Sequence, residues 1–182
     1  MTSGNPRWVM PCAVALGAVA ALAQLVWEHT HGGILRHHLL NDASMPAVSN
    51  LWGLVLLPLL GWLAGWAVAR RAEKRCGRFS VSSLAGFVGA LMGGAALSIA
   101  FVTGGEAAAT QVMLALLVAS VALPAYRAEY LFGFVMAMTF KFGPVLPALA
   151  FSLPMLISGV SRLLIWPVAK WLRGQLRSSQ PA

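Results

Sequence analysis

Residues 51–75 read LWGLVLLPLLGWLAGWAVARRAEKR: nineteen residues without a charge, then Arg70, Arg71, Glu73, Lys74 and Arg75 in one block. At 1.5 Å per residue, nineteen helical residues reach about 28 Å, close to the hydrocarbon thickness of a bilayer. Ser49-Asn50 just upstream supplies a helix cap. An uncharged span ended by a dense basic block reads as a transmembrane helix with its cytoplasmic flank.

The same pattern recurs on both sides. Upstream, residues 8–27 carry no charge. Downstream, residues 81–103 and 107–126 are two further apolar runs, separated by Gly104-Gly105-Glu106. Residues 130–166 hold only Lys141 and Arg162 as charges. That run is too long for one helix, and Lys141-Phe142-Gly143-Pro144-Val145-Leu146-Pro147 supplies a break. The expected fold is therefore all-α: a single polytopic membrane bundle over residues 1–182, with about six transmembrane helices. They fall near 8–27, 51–69, 81–103, 107–126, 129–142 and 146–166. Two readings stay open. Residues 129–166 are either two spans or a re-entrant hairpin. The first run is either a span or a signal segment cleaved near Ala21-Leu22-Ala23.

Composition agrees with lipid as the outer solvent. Of 182 residues, 59% are hydrophobic and 10% charged, against roughly a quarter charged in soluble domains. Mean hydropathy is +0.76. The net charge of +8 would suggest nucleic acid in a soluble chain. Here the basic residues sit in short connections, and no basic patch is interleaved with exposed aromatics, so no nucleic-acid partner is expected. With the N-terminus inside, Arg7, the five cations from Arg70 to Arg78, Arg127, Arg162, Lys170, Arg173 and Arg177 are all cytoplasmic. Only Arg36 and Lys141 face the other side. That asymmetry predicts both termini in the cytoplasm of a bacterial-type inner membrane. Cys12 lies in an apolar run and Cys76 in the basic loop, so no disulfide is expected. Residues 167–177 read as an amphipathic tail on the anionic inner leaflet, with Lys170, Arg173 and Arg177 on one face.

Residues 28–50 form the long polar connection, a His-rich loop at the periplasmic face. It holds all four histidines, His29, His31, His37 and His38, with Glu28, Arg36 and Asp42. If the first helix continues to His31, then Gln24, Glu28 and His31 share a stripe. Gly32-Gly33 would end that helix. A short helix from Ile34 would then set His38 and Asp42 on one face. Imidazoles with one or two carboxylates are a ligand set for zinc, iron or copper. In that reading His29, His31, His37 and His38 are candidate metal ligands. Glu28 and Asp42 are candidate acid-base groups, and Lys141 would stabilise an anionic intermediate. The protein would then be a small membrane-embedded hydrolase or other lipid-processing enzyme, acting on a lipid or lipid-linked molecule at the outer leaflet. The plain alternative is that these are solvated loop residues, with Glu28 paired to Lys141 or Arg36. Glu129 reads as an ordinary first-turn acid favoured by the helix dipole.

Two other function classes compete. The proline-broken stretch 143–154 and the histidines suit a proton or metal-ion transporter. Gly61-xxx-Gly65-xxx-Ala69 and Ala85-xxx-Gly89-xxx-Gly93 let helices approach closely. They are expected to serve internal packing, with a homo-oligomer or a larger membrane complex as the alternative use.

Overall fold

In the computed structural model, which describes residues 8–38, 47–75, 77–78 and 80–168, the chain is almost entirely helical. Helix α1 spans Val9–Thr30, α2 spans Gly53–Glu73, α3 spans Val81–Ala122, α4 spans Ala128–Phe142 and α5 spans Val145–Val160. A π-turn over Ser161–Ile165 continues α5. Two short antiparallel strands, β1 (Arg36–His38) and β2 (Ala47–Ser49), form a hairpin stem between α1 and α2. Four helical stretches are long and apolar enough to cross a membrane: Val9–Thr30, Asn50–Glu73, Val81–Ala122 and Val145–Val168.

Helix α3 is two limbs rather than one rod. Gly105 has φ 66° and ψ −158°, outside any helical conformation and open to glycine because it lacks a Cβ. A straight helix would hold Gly93 and Leu116 about 35 Å apart. Instead a Cβ placed on Gly93 would lie 2.9 Å from the Leu116 side chain. The second limb therefore folds back along the first, reversing at the Gly104-Gly105-Glu106 turn.

Glycine decides how closely the helices pack. On α2, a Cβ added to Gly61 would collide with the backbone of Ala13, and one on Gly65 with Met10. Gly17 on α1 stands in the same relation to Leu57. These three contacts run antiparallel along α1 and α2 and bring the backbones together. Gly86 and Gly94 on α3 meet Tyr130 and Phe134 on α4, and Gly133 meets the carbonyl of Phe87. The glycine faces at these positions are used inside the molecule. Gly89 is different, because nothing lies within 4 Å of its Cβ position.

Helix α4 is the centre of the bundle. It contributes Phe132 and Val135 to a cluster with Ala21, Leu57, Leu60 and Ala64, and Phe134 and Met138 to another with Ala90, Leu97 and Phe151. At 15 residues it reaches only about 22 Å. It ends at Gly143, whose φ of 69° turns the chain into α5. The return of α5 is fastened by side chains. Ser161 Oγ donates to the carbonyl of Val121 at 2.7 Å, and Arg162 Nη2 to that of Ala122 at 3.0 Å. These are last-turn carbonyls of α3 that have no partner within their own helix.

The outer surface is apolar. Val19, Met92, Val118 and Leu163 are each more than 60% exposed. Such a coat is stable against lipid and not against water.

Candidate functional site

Among the described residues, two buried carboxylates mark the two ends of the bundle. Glu28 lies at the end with the strand hairpin and is 5% exposed. Gln24 Nε2, one turn earlier on α1, donates to Glu28 Oε1 at 2.9 Å. Asn50 Nδ2, at the approach to α2, donates to the same oxygen. The backbone N–H of Leu35 donates to Oε2 at 3.1 Å. Leu35 in turn accepts from the Asn50 N–H at 3.2 Å. One carboxylate thus ties α1, the hairpin and the start of α2 together.

The local chain explains this arrangement. Gly32 and Gly33 adopt φ of 116° and 104°, so α1 stops at Thr30 and the chain doubles back. Gly33 N–H reaches the carbonyl of Glu28 at 2.9 Å. Ser49 Oγ then accepts from the Leu51 N–H at the entry to α2. Three expectations change here. Residues 36–38 are extended and pair with 47–49, so the short helix expected from Ile34 does not form over them. His31 does not join the Gln24–Glu28 stripe. It is exposed, stacks on Trp27 at 3.7 Å between ring centroids, and sets Nδ1 2.9 Å from the Trp27 carbonyl. Glu28 pairs with amides rather than with Arg36 or Lys141.

Of the other expected site residues, the structure places the side chains of His29 and Lys141. His29 is exposed, and Lys141 is exposed near the end of α4. His37 and His38 are described only as backbone of β1, and Asp42 lies outside the described residues. So do Cys76 and the tail beyond residue 168. Among the described residues, no three His, Cys, Asp or Glu side chains come together to hold a metal ion. Glu28 already accepts three donors. Elemental mass spectrometry on untagged protein in mild detergent tests the metal reading: a near-stoichiometric zinc, iron or copper that is lost in the His31→Ala/His38→Ala double variant supports it, and no metal in either protein removes it.

The second carboxylate is Glu129, at the basic end of the bundle. It sits in the first turn of α4 and is 2% exposed. Arg71, in the last turn of α2, donates Nη2 to Glu129 Oε2 at 2.6 Å. The dipole of α4 favours the acid there, and that much was legible from position. The pairing with Arg71, 58 residues away in sequence, was not. Any of the basic residues in the 70–78 block was an equal candidate.

Glu129 lines a groove of about 240 Å³. Trp8 at the N-cap of α1, Cys12 and Leu16 of α1, Ala64 and Val68 of α2, and Ser83, Leu84 and Phe87 of α3 form its other walls, with Phe132 beside Glu129 on α4. From Trp8 to Leu16 the groove follows α1 for about 12 Å. Its wall is mostly hydrocarbon, with the Trp8 indole, the Cys12 thiol, the Ser83 hydroxyl and the Glu129 carboxylate as its polar side chains. Glu129 Oε1 is buried with no hydrogen-bond partner among the described residues, and so is Arg71 Nε.

The chain matches no protein-family model, no curated protein and no solved structure.

Proposed function

We propose that this chain is a six-span integral membrane protein with both termini on the cytoplasmic side, and that it holds a membrane lipid or lipid-linked molecule in the groove between α1, α2 and α3. The six spans are α1, α2, the two limbs of α3, α4 and α5. Support for the orientation comes from charge. Arg70, Arg71, Lys74, Arg75, Arg78, Arg127 and Arg162 gather at the end that holds Glu129, where positive-inside bias puts the cytoplasm. Arg36 and Lys141 are at the other end.

The observation that carries the lipid reading is a largely apolar groove lined by the buried Glu129, one of whose carboxylate oxygens has no hydrogen-bond partner among the described residues. A bilayer chain alone needs no acceptor in the wall, and a polar solute needs no wall of Leu16, Leu84 and Phe87. An amphiphile uses both. Ligand sites that enclose a whole small molecule run to about 300–1,000 Å³. A groove of 240 Å³ suits a head and one stretch of chain, with the remainder left in the bilayer. The lipid reading drawn from the histidine loop thus moves to the opposite face.

The wild type purified in mild detergent is expected to retain about one lipid per chain by native mass spectrometry. Leu84→Trp places a larger apolar side chain in the groove from a half-exposed position and is expected to lose most of that lipid while staying monodisperse. Equal retention by both proteins would remove this function.

A further inference from the structure

We infer that a second pocket, between the two limbs of α3 and the end of α4, binds a hydrophobic organic cation whose charge is shielded by carbon, with Glu106 as its counter-charge. This pocket shares no residue with the lipid groove and lies at the opposite end of the bundle, beside the reversal at Gly105.

Residue spacing builds the pocket. On the second limb of α3, Glu106, Thr110 and Met113 fall at i, i+4 and i+7, which is one helix face. Met138 and Phe142 are four apart and share a face of α4, and Phe101 comes from the first limb of α3. Together these faces line about 410 Å³, within the roughly 300–1,000 Å³ of sites that hold a whole small molecule. A ligand can reach it, because the lining residues Glu106 and Thr110 are both exposed.

The chemistry of the wall narrows the occupant. The Thr110 hydroxyl donates to the backbone carbonyl of Glu106 at 2.8 Å. The Glu106 carboxylate is the one charged group in the wall among the described residues, and it forms no ion pair among them. Lys141, next to Phe142 in sequence, is exposed and does not line the pocket. The rest of the wall is hydrocarbon, aromatic ring and thioether. Phe101 and Phe142 meet edge to face at 5.0 Å between ring centroids, and aromatic faces attract cations. The sulfurs of Met113 and Met138 are polarisable and adapt to irregular apolar shapes. An anion would meet Glu106. A metal ion wants several oxygen ligands, and an ammonium brings three donors, where the wall offers one carboxylate. An uncharged molecule leaves that carboxylate without a use. A cation wrapped in carbon matches the charge and the apolar wall together.

The test uses the full chain in mild detergent and two probes of one shape and opposite charge, tetraphenylphosphonium and tetraphenylborate. Equilibrium dialysis against protein-free micelles of the same detergent subtracts partitioning. The wild type is expected to bind about one tetraphenylphosphonium per chain and far less tetraphenylborate. Glu106→Gln is expected to weaken the cation about fivefold, the reach of an ion pair open to solvent. Glu106 is exposed, so this variant should keep the wild-type thermal midpoint. Glu73→Gln removes the same charge from an exposed carboxylate at the basic end and should bind the cation as the wild type does. So should Leu84→Trp, which fills the lipid groove. Equal binding of the two ions, or unchanged cation binding in Glu106→Gln, would overturn the proposal. An equal loss in Glu73→Gln would reduce the effect to net charge and overturn it as well. Loss of the cation in Leu84→Trp alone would place it in the lipid groove instead.

Discussion

Gly61→Ala is expected to destabilise the bundle by about 2 kcal/mol or more, the cost of forcing one extra carbon into a packed interior. The added Cβ would run into the backbone of Ala13, not into a side chain that can turn away. Gly17 and Gly65 make equivalent contacts on either side of it. No single rotamer change relieves the clash, so α1 must move off α2. Phe132 and Val135 of α4 then lose packing against Ala21 and Leu57. The measurement is the thermal midpoint of aggregation in detergent, with the monodisperse fraction by size exclusion. Gly89→Ala is the matched control. It adds the same methyl group on another small-residue stripe, at a site where nothing lies within 4 Å. It is expected to be neutral or slightly stabilising, since alanine is the better helix former. Equal effects from the two variants would mean that the α1–α2 contact is not the tight one.

Glu28→Leu is expected to cost about 3 kcal/mol. It leaves the amides of Gln24 and Asn50 and the N–H of Leu35 without their acceptor, and each buried donor left unpaired costs roughly 1–3 kcal/mol before water reaches it. Gln24 and Asn50 are as buried as Glu28, so water does not reach them without local opening. The pairing of β1 with β2 should therefore loosen first, seen as faster hydrogen exchange at Leu35 and Asn50 and as new proteolysis between α1 and α2. Glu28→Gln keeps one acceptor oxygen and is expected to retain most of the stability. If Glu28→Leu leaves both exchange and thermal midpoint unchanged, the carboxylate is not a latch. The acid-base role read from the sequence would then regain its claim on this residue.

Both variants show where the sequence was readable and where it was not. That the chain is a helical membrane protein follows from charge-free runs of bilayer length and from their basic ends, a matter of transfer energy that needs no tertiary detail. The reversal at Gly105 was visible as Gly104-Gly105-Glu106, because two glycines beside an acid interrupt an apolar run. The histidines drew attention because they cluster in sequence. The short helix expected from Ile34 is replaced over residues 36–38 by a strand, because these residues pair with 47–49. Glu129 was passed over because a first-turn acid has an ordinary explanation.

The amino-acid sequence by itself determined the solvent of this protein, its helical class and the segregation of its basic residues. Those properties depend on what each segment is made of. Only the tertiary structure decided that α4 is the buried centre, that Gly61 packs against the backbone of Ala13 where Gly89 has open space, and that Arg71 and Glu129 meet beside an apolar groove. In a membrane, lipid and protein core are equally apolar, so hydropathy carries no signal for which face of a helix turns inward. That choice is made by shape, where backbones can touch, and by the few polar atoms that must find partners across long stretches of chain.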